Sequence, residues 1–171
     1  MTADELRAIQ APIKERYRSD PSSALGTLHA QGRLDVARLH CVVETSGGSP
    51  VAAGVHPRAG GDGRGACAGD MLLQALVACA GVTLAAVATA MNLNVTGGTI
   101  SAEGDLDFRG TLGVSRGAPV GFLDIRLVID LETTADDNAL RKLAELTERY
   151  CVVAQSLKAP LTMAIRRHPG S

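Results

Sequence analysis

The sequence is poor in aromatic residues and has no block of positive charge. Tryptophan is absent, and the only aromatic residues in 171 positions are Tyr17, Phe108, Phe122 and Tyr150. The formal net charge is −1 at pH 7, with lysine and arginine spread along the chain. Nucleic-acid binding usually depends on clustered basic residues and on rings that stack with bases. We therefore expect no nucleic-acid partner.

The chain also lacks the apolar N-terminal core of a secretory signal. Its first twenty residues, MTADELRAIQAPIKERYRSD, mix charged and apolar side chains throughout. In a chain without such a signal, four cysteines indicate reduced thiols and not a disulfide framework; these are Cys41, Cys67, Cys79 and Cys151. We predict a cytoplasmic protein.

The common cofactor and metal motifs are missing as well. The glycine-rich segment AGGDGRGACAGD (59–70) has no P-loop lysine and no G-x-G-x-x-G that opens a dinucleotide-binding unit. There is no C-x-x-C pair, and the four histidines show no i, i+4 pairing on a helix. A G-x-S-x-G nucleophile elbow is also absent. We predict no cofactor and no metal.

The most distinctive segment is an apolar run from Met71 to Met91, without a charged residue or a proline. A helix that is apolar on every side is a buried helix. Asp70 directly precedes the run, where its carboxylate is expected to cap the helix. About 20 apolar residues suffice to span a bilayer. However, the run is rich in alanine, contains a glutamine and two threonines, and lacks basic flanks, so we predict a core helix and no membrane span.

The patterns around this run predict an α+β fold. An amphipathic helix is expected at 3–18, where Pro12 would break or bend it, followed by a linker at 19–26. A second helix is expected from Thr134 or Ala135 to Tyr150, with Cys151 immediately after it. Residues 93–108 are expected to form either a strand pair or one strand bent at the Gly97–Gly98 dipeptide. The other predicted strands are 27–35 and 37–46 as a hairpin, then 51–56, 120–133 and 161–167, with a loop at 109–119. Strands and helices do not alternate as in βαβ units.

Two cysteines have notable positions in this arrangement. Cys79 lies in the middle of the predicted central helix, and Cys151 follows the second long helix. Most buried free cysteines act as small apolar side chains. Position and spacing alone therefore leave the role of this pair open.

Three segments resemble the OsmC/Ohr family of hydroperoxide reductases. GDMLLQALVACAGVTLAAVATAM (69–91) is similar to the family's central helix, which has an acidic residue at its start and the peroxidatic cysteine nine or ten residues later. TERYCVVAQSL (147–157) is similar to the family's second cysteine motif. PRAGGDGRGACAGD (57–70) resembles the Gly-Gly segment that leads into the same helix. The resemblance covers roughly residues 28–168.

The resemblance implies an OsmC-like fold, in which antiparallel β-sheets pack around a long buried central helix. Members of the family are intertwined homodimers with each active site at the subunit interface. On this interpretation, residues 1–25 form an N-terminal helical extension and residues 26–171 form the OsmC-like domain.

The resemblance also implies a thiol-dependent peroxidase that reduces organic (lipid) hydroperoxides. Cys79 would be the peroxidatic thiolate and Cys151 the resolving thiol, and a dihydrolipoyl protein would be the reductant, as in the Ohr branch. The family uses an arginine from the early strands, held by a carboxylate near the start of the central helix. Arg33 best matches this arginine and Asp70 the carboxylate. The alternative arginines are Arg38, Arg58 and Arg64.

The start of the central helix departs from the Ohr pattern. That branch has Pro-Glu there, whereas this chain has Ala68-Gly69-Asp70. Cys67 is a third thiol that the usual pair does not require, and we interpret it as a loop cysteine. The alternative function is a non-catalytic OsmC-like dimer that binds a small hydrophobic ligand in an apolar cleft.

Overall fold

The computed structural model describes residues 1–168 and contains five helices and seven strands in two sheets. The helices are α1 Ala3–Ser19, α2 Ala68–Ala90, α3 Phe108–Thr111, α4 Asp137–Tyr150 and α5 Val152–Ser156. The strands are β1 Gly32–Asp35, β2 His40–Val43, β3 Val51–Gly54, β4 Ala66–Cys67, β5 Val95–Leu106, β6 Phe122–Thr133 and β7 Leu161–Arg167. Short 3₁₀ helices occur at Pro21–Ala24, Val36–Arg38 and Pro57–Ala59. The predicted α+β class is confirmed.

The first sheet has the strand order β1-β2-β3-β4, and the second has the order β5-β6-β7. The predicted hairpin at the start is confirmed, with Arg33 of β1 opposite Val42 of β2. β2–β3 and β5–β6 are also antiparallel. Each sheet additionally contains one parallel pair, β3–β4 in the first and β6–β7 in the second.

The core forms where α2 and α4 pack against the second sheet. Side chains of β6 alternate between the two faces of the sheet, as its apolar pattern predicts, and α2 buries one side chain on every fourth residue. α2 contacts β5, α4 contacts β7, and the two helices contact each other. The buried apolar side chains are Leu76, Ala80, Leu84, Ala88, Ile125, Leu127, Ile129, Leu131, Leu140, Leu143 and Cys151.

The first sheet stands apart from this core. None of the buried core residues, and none of the partly buried apolar residues packed against them, comes from residues 1–72. The sheet is linked to the rest of the described chain mainly through β4, which contacts α2. The second sheet and its helices therefore form one packed unit. Residues 1–72 contribute no side chain to its apolar core, although α1 contacts α2.

α2 begins earlier than predicted. Its first residue is Ala68 and its N-cap is Cys67, whose side chain makes no capping hydrogen bond. Asp70 lies inside the first turn, so the prediction that it caps the helix from outside is wrong. Its carboxylate still lies near the positive end of the helix dipole.

α2 is also less buried than expected. Only the stripe of Leu76, Ala80, Leu84 and Ala88 is buried, while Val82 on the opposite side is 74% exposed. The expectation of a helix buried on every side is therefore wrong for a single chain. Among the described residues, α2 is the one helix long and apolar enough to cross a membrane, a criterion that core helices of soluble proteins also meet.

Smaller elements also differ from the sequence-based expectations. α1 continues through Pro12 without a break, supported by a capping box between Thr2 and Glu5. β5 is a single strand, which confirms the one-strand alternative, and its register irregularity lies between Val95 and Gly97, just before the Gly97–Gly98 dipeptide. The predicted loop 109–119 begins inside the short helix α3.

Candidate functional site

Cys151 occupies the junction between α4 and α5. It is both the C-cap of α4 and the N-cap of α5, and its extended backbone turns the chain between the two helices. Its N–H donates to the carbonyl oxygen of Thr147 (2.9 Å), and its Sγ accepts from the N–H of Ala154 (3.4 Å). The residue is completely buried. The same side chain thus fills the core and caps α5.

The structure brings Cys79 and Cys151 together. Cys79 lies halfway along α2 and is partly buried, and α5 packs directly against α2. The two thiols lie close enough for each to shift the pKa of the other, and both are free. Residues 72 positions apart in the sequence therefore form one contact.

The surroundings of Cys79 favour its thiolate. Partial burial opposes ionisation, but hydrogen bonds from the N–H of Val153, the thiol of Cys151, the N–H of Val152 and the hydroxyl of Thr83 outweigh it. The pKa of Cys79 is therefore lower than that of an ordinary cysteine. Since the thiolate is the reactive form, this is the electronic state that a nucleophilic cysteine needs.

The surroundings of Cys151 have the opposite effect. Burial raises the pKa of its thiol, and the hydrogen bond and negative charge of Cys79 raise it further, against the N–H of Ala154, which lowers it. The two pKa values are therefore shifted apart, and Cys79 ionises more readily than Cys151. The pair consists of a potential nucleophile beside a second thiol that favours its protonated form.

Sequence reasoning missed the neutral donors to Cys79. Thr83 lies four residues after Cys79, hence on the same side of α2, and that spacing was a usable signal. The N–H groups of Val152 and Val153 become available because α5 begins directly after Cys151. A helix of only five residues is too short for its side-chain pattern to predict it.

Within one chain, the structure does not bring Arg33 to the thiol pair. It lies on β1 and is exposed, and the groups that set the pKa of Cys79 include no cation from the described chain. The alternative arginines lie elsewhere: Arg38 pairs with Asp35 at 3.1 Å, Arg64 lies 3.8 Å from Asp62, and Arg58 lines a cavity at the start of α2.

Asp70 also lies away from the pair. Nine residues separate it from Cys79, which is 2.5 turns of α-helix, so the two side chains leave opposite sides of α2 about 13 Å apart along its axis. Asp70 instead lines a polar cavity of about 390 Å³ with His56, Arg58 and Cys67. The candidate carboxylate Asp70 and the alternative arginine Arg58 therefore line the same cavity, and neither Cys79 nor Cys151 lines it.

The family model for OsmC-like proteins matches residues 61–166. The chain belongs to the OsmC-like protein family. The matched segment contains both thiols of the pair and begins later than residue 28, the start of the sequence resemblance.

Solved structures support the OsmC-like fold along most of the chain. An OsmC-like protein of unknown function from Vibrio cholerae has a TM-score of 0.67 at 15% identity, covering 82% of this chain and 99% of its own. An organic hydroperoxide resistance protein from Elizabethkingia anophelis has a TM-score of 0.67 at 14% identity, covering 84% of this chain and 98% of its own. The organic hydroperoxide resistance protein OhrB of Bacillus subtilis has a TM-score of 0.59 at 18% identity, covering 84% of this chain and 98% of its own. No curated protein matches the chain in sequence.

Proposed function

We propose that this OsmC-like protein is a thiol-dependent peroxidase that reduces organic hydroperoxides, with Cys79 as the peroxidatic and Cys151 as the resolving cysteine. The observation that carries the proposal is the proximity of the two thiols, where α5 packs against α2, together with the opposite shifts of their pKa values. Two structural relatives named as organic hydroperoxide resistance proteins are consistent with it at the level of the fold.

The proposed reaction has two steps on the protein. The thiolate of Cys79 attacks the distal oxygen of the hydroperoxide, the O–O bond breaks, and the leaving alkoxide takes a proton to become an alcohol. Cys79 is then a sulfenic acid. The sulfur of Cys151 attacks the sulfur of Cys79, a disulfide forms, and the sulfenic oxygen leaves as water.

The disulfide must be reduced before the next turnover. A dithiol does this by thiol–disulfide exchange and is itself oxidised to a disulfide. By its resemblance to the Ohr branch, the reductant of this chain would be a dihydrolipoyl protein. Such a cycle fits a reducing cytoplasm, where we expect the protein to act.

We further propose that the active form is an intertwined homodimer in which Arg33 of one copy approaches Cys79 of the other. The first sheet, which carries Arg33, contributes nothing to the core of its own chain, and α2 leaves an apolar side uncovered. A second copy that packs on α2 would cover this side. The guanidinium of Arg33 from that second copy would then supply the cation that the single chain does not place near Cys79.

The decisive experiment is a stoichiometric oxidation. The reduced protein receives one equivalent of cumene hydroperoxide, free thiols are counted, and disulfides are mapped by mass spectrometry. We expect rapid loss of two of the four thiols and a Cys79–Cys151 disulfide. Cys79→Ser should prevent the reaction, and Cys151→Ser should stop it at the sulfenic acid, which dimedone traps. Four thiols still titratable after minutes would refute the proposal.

The second candidate function is a non-catalytic dimer that binds a small hydrophobic ligand. It is favoured by the separation of Asp70 from Cys79 on opposite sides of α2 and by the neutral surroundings of Cys79 in the single chain. An unreactive thiol pair in the oxidation experiment would make this the better account.

A further inference from the structure

A polar cavity of about 390 Å³ lies at the start of α2, on the side of the helix away from the thiol pair. Its volume is within the usual range for small-molecule sites. The titratable residues that line it are His56, Arg58, Cys67, Asp70 and Asp105. The reaction proposed above for the thiol pair uses none of these side chains. The cavity is therefore a separate candidate site.

Cys67 contributes a sulfur to the wall of this cavity. It is the N-cap of α2, but its side chain makes no capping hydrogen bond, and its thiol is free and only partly buried. The sulfur lies against the first turn of the helix, because a Cβ added at Gly69 would be 3.5 Å from it. The thiol therefore borders the space that a small molecule would fill.

Two opposite charges without partners line the same cavity. The carboxylate of Asp105 is already engaged, since it accepts a hydrogen bond from Arg126 at 2.8 Å. The guanidinium of Arg58 and the carboxylate of Asp70 form no ion pair or hydrogen bond with any other residue in 1–168. One free cation and one free carboxylate match a zwitterion better than a ligand with charge of a single sign.

His56 adds a hydrogen-bond donor on a ring that is held in place. The ring stacks on that of Phe108, with 4.8 Å between the centroids, and its Nδ1 accepts from the N–H of Arg58 at 3.0 Å. With Nδ1 as the acceptor, the neutral ring carries its proton on Nε2. The lining thus provides an N–H donor besides the guanidinium of Arg58, and a carboxylate accepts from both kinds of donor.

We propose that this cavity binds the disulfide of a small zwitterionic aminothiol, such as cystine, and that Cys67 forms a mixed disulfide with one half of it. Arg58 and His56 hold the carboxylate of that half, and Asp70 holds its ammonium group. The ligand class follows from the three kinds of group that meet here: a thiol, a free cation and a free carboxylate.

The exchange is balanced without any further reactant. The thiolate of Cys67 attacks one sulfur of the bound disulfide, the S–S bond of the ligand breaks, and the other half leaves as a thiolate that takes up the proton from Cys67. Cys67 is oxidised and the departing half is reduced. The reaction needs no peroxide and neither thiol of the pair, so the site does not depend on the proposed peroxidase function.

Three symmetric disulfides separate the two charges in a direct test. Cystine carries both charges on each half, dithiodipropionic acid carries only carboxylates, and cystamine carries only ammonium groups. The reduced full-length protein is incubated with each probe, and site-resolved mass spectrometry gives the rate of adduct formation at Cys67. Dividing by the rate in urea-unfolded protein removes the intrinsic reactivity of each probe. We expect the largest folded-to-unfolded ratio for cystine.

Two variants assign the charges to their residues. Arg58→Gln should lower the ratio about fivefold for cystine and dithiodipropionic acid but not for cystamine, the effect typical of one exposed ion pair. Asp70→Asn should lower it about fivefold for cystine and cystamine but not for dithiodipropionic acid. Arg64→Gln is the matched control, because Arg64 is an exposed arginine that lies 3.8 Å from Asp62. It should leave all three ratios unchanged.

The pattern across the probes distinguishes bound charges from a change in the thiol itself. A change in the reactivity of the Cys67 thiol would alter the rates of all three probes alike. Equal effects of Arg58→Gln on the three probes, or no Cys67 adduct with cystine, would therefore overturn the proposal. The adduct rate at Cys41, a partly buried thiol in the first sheet, should stay constant in every variant and reports on intact folding.

Discussion

The side chains of Cys79 and Cys151 lie beside each other, and their pKa values are shifted in opposite directions. Cys79 is stabilised as the thiolate, and Cys151, in the fully buried position, is stabilised as the thiol. This asymmetry distinguishes two chemically identical groups. The sulfur with the lowered pKa belongs to the less buried residue, and the sulfur with the raised pKa lies beside it, shielded from solvent.

The asymmetry predicts a pH profile for Cys79. Because its pKa is lowered in the folded protein, the thiolate fraction, and with it the rate of alkylation by iodoacetamide, should level off at lower pH than for a free cysteine. Site-resolved mass spectrometry measures this rate, with urea-unfolded protein as the reference. Cys151→Ala removes one hydrogen-bond donor, so the midpoint should move to higher pH. A midpoint in the folded protein equal to that in the unfolded protein would contradict the assignment.

The long elements and the candidate pair could be predicted because each has a strong local signal. The predicted alternation of buried and less buried side chains, with Ile125, Leu127 and Ile129 buried, is present in β6 because helices cover one face of its sheet. The helix after residue 134 was expected from its acidic start and basic end, and α4 has Asp137 and Arg149 at those places.

The remaining features depend on surroundings that a single sequence does not contain. An apolar run such as α2 has the same sequence pattern whether its own chain or a second copy covers it. The partial burial of α2 in the single chain therefore could not be predicted from the sequence. Whether Pro12 breaks a helix depends on the capping and ion pairs around it, here Arg7–Asp4 and Arg18–Glu15. Two of the donors to Cys79 are the backbone N–H groups of Val152 and Val153, which become available only through the fold.

Two buried threonines provide a matched test of the core. Thr147 Oγ1 is buried and has no hydrogen-bond partner in the described part of the chain. Thr133 Oγ1 donates to the carbonyl of Asn94 (2.7 Å) and accepts from the N–H of Ala135 (3.1 Å). An unpaired buried hydroxyl costs free energy, so Thr147→Val should raise the free energy of unfolding by about 1 kcal/mol, whereas Thr133→Val should lower it by about 1–3 kcal/mol. Urea denaturation measures both, and destabilisation by Thr147→Val would contradict the unpaired hydroxyl.

The proposed role of Arg33 predicts a charge effect across the dimer. An opposite charge near a thiolate lowers its pKa by a unit or more, so Arg33→Gln should slow oxidation of Cys79 by cumene hydroperoxide about tenfold at neutral pH. The same substitution at Arg38, Arg58 or Arg64 is the matched comparison and should have little effect.

Mixed dimers test whether this arginine acts between chains. Subunits with Cys79→Ser still carry Arg33, and subunits with Arg33→Gln still carry Cys79. If the guanidinium acts on the other copy, mixing the two variants should restore fast oxidation of the one intact thiol pair. No recovery on mixing, together with a confirmed mixed dimer, would rule out an arginine supplied between chains.

The exposed side of α2 predicts which substitution separates the dimer. Val82 is 74% exposed in the single chain and lies opposite the buried stripe of the helix, so a second copy that covers α2 would bury it. Val82→Asp would then place an unpaired charge in an apolar interface, which is strongly unfavourable. Sedimentation equilibrium should give twice the chain mass for the wild type and the chain mass for Val82→Asp. Val114→Asp is the matched control, since Val114 is 72% exposed in the loop after α3 and should leave the dimer intact. A wild-type protein that sediments as a single chain, or a Val82→Asp variant that remains dimeric, would show that α2 is not the surface that joins two copies.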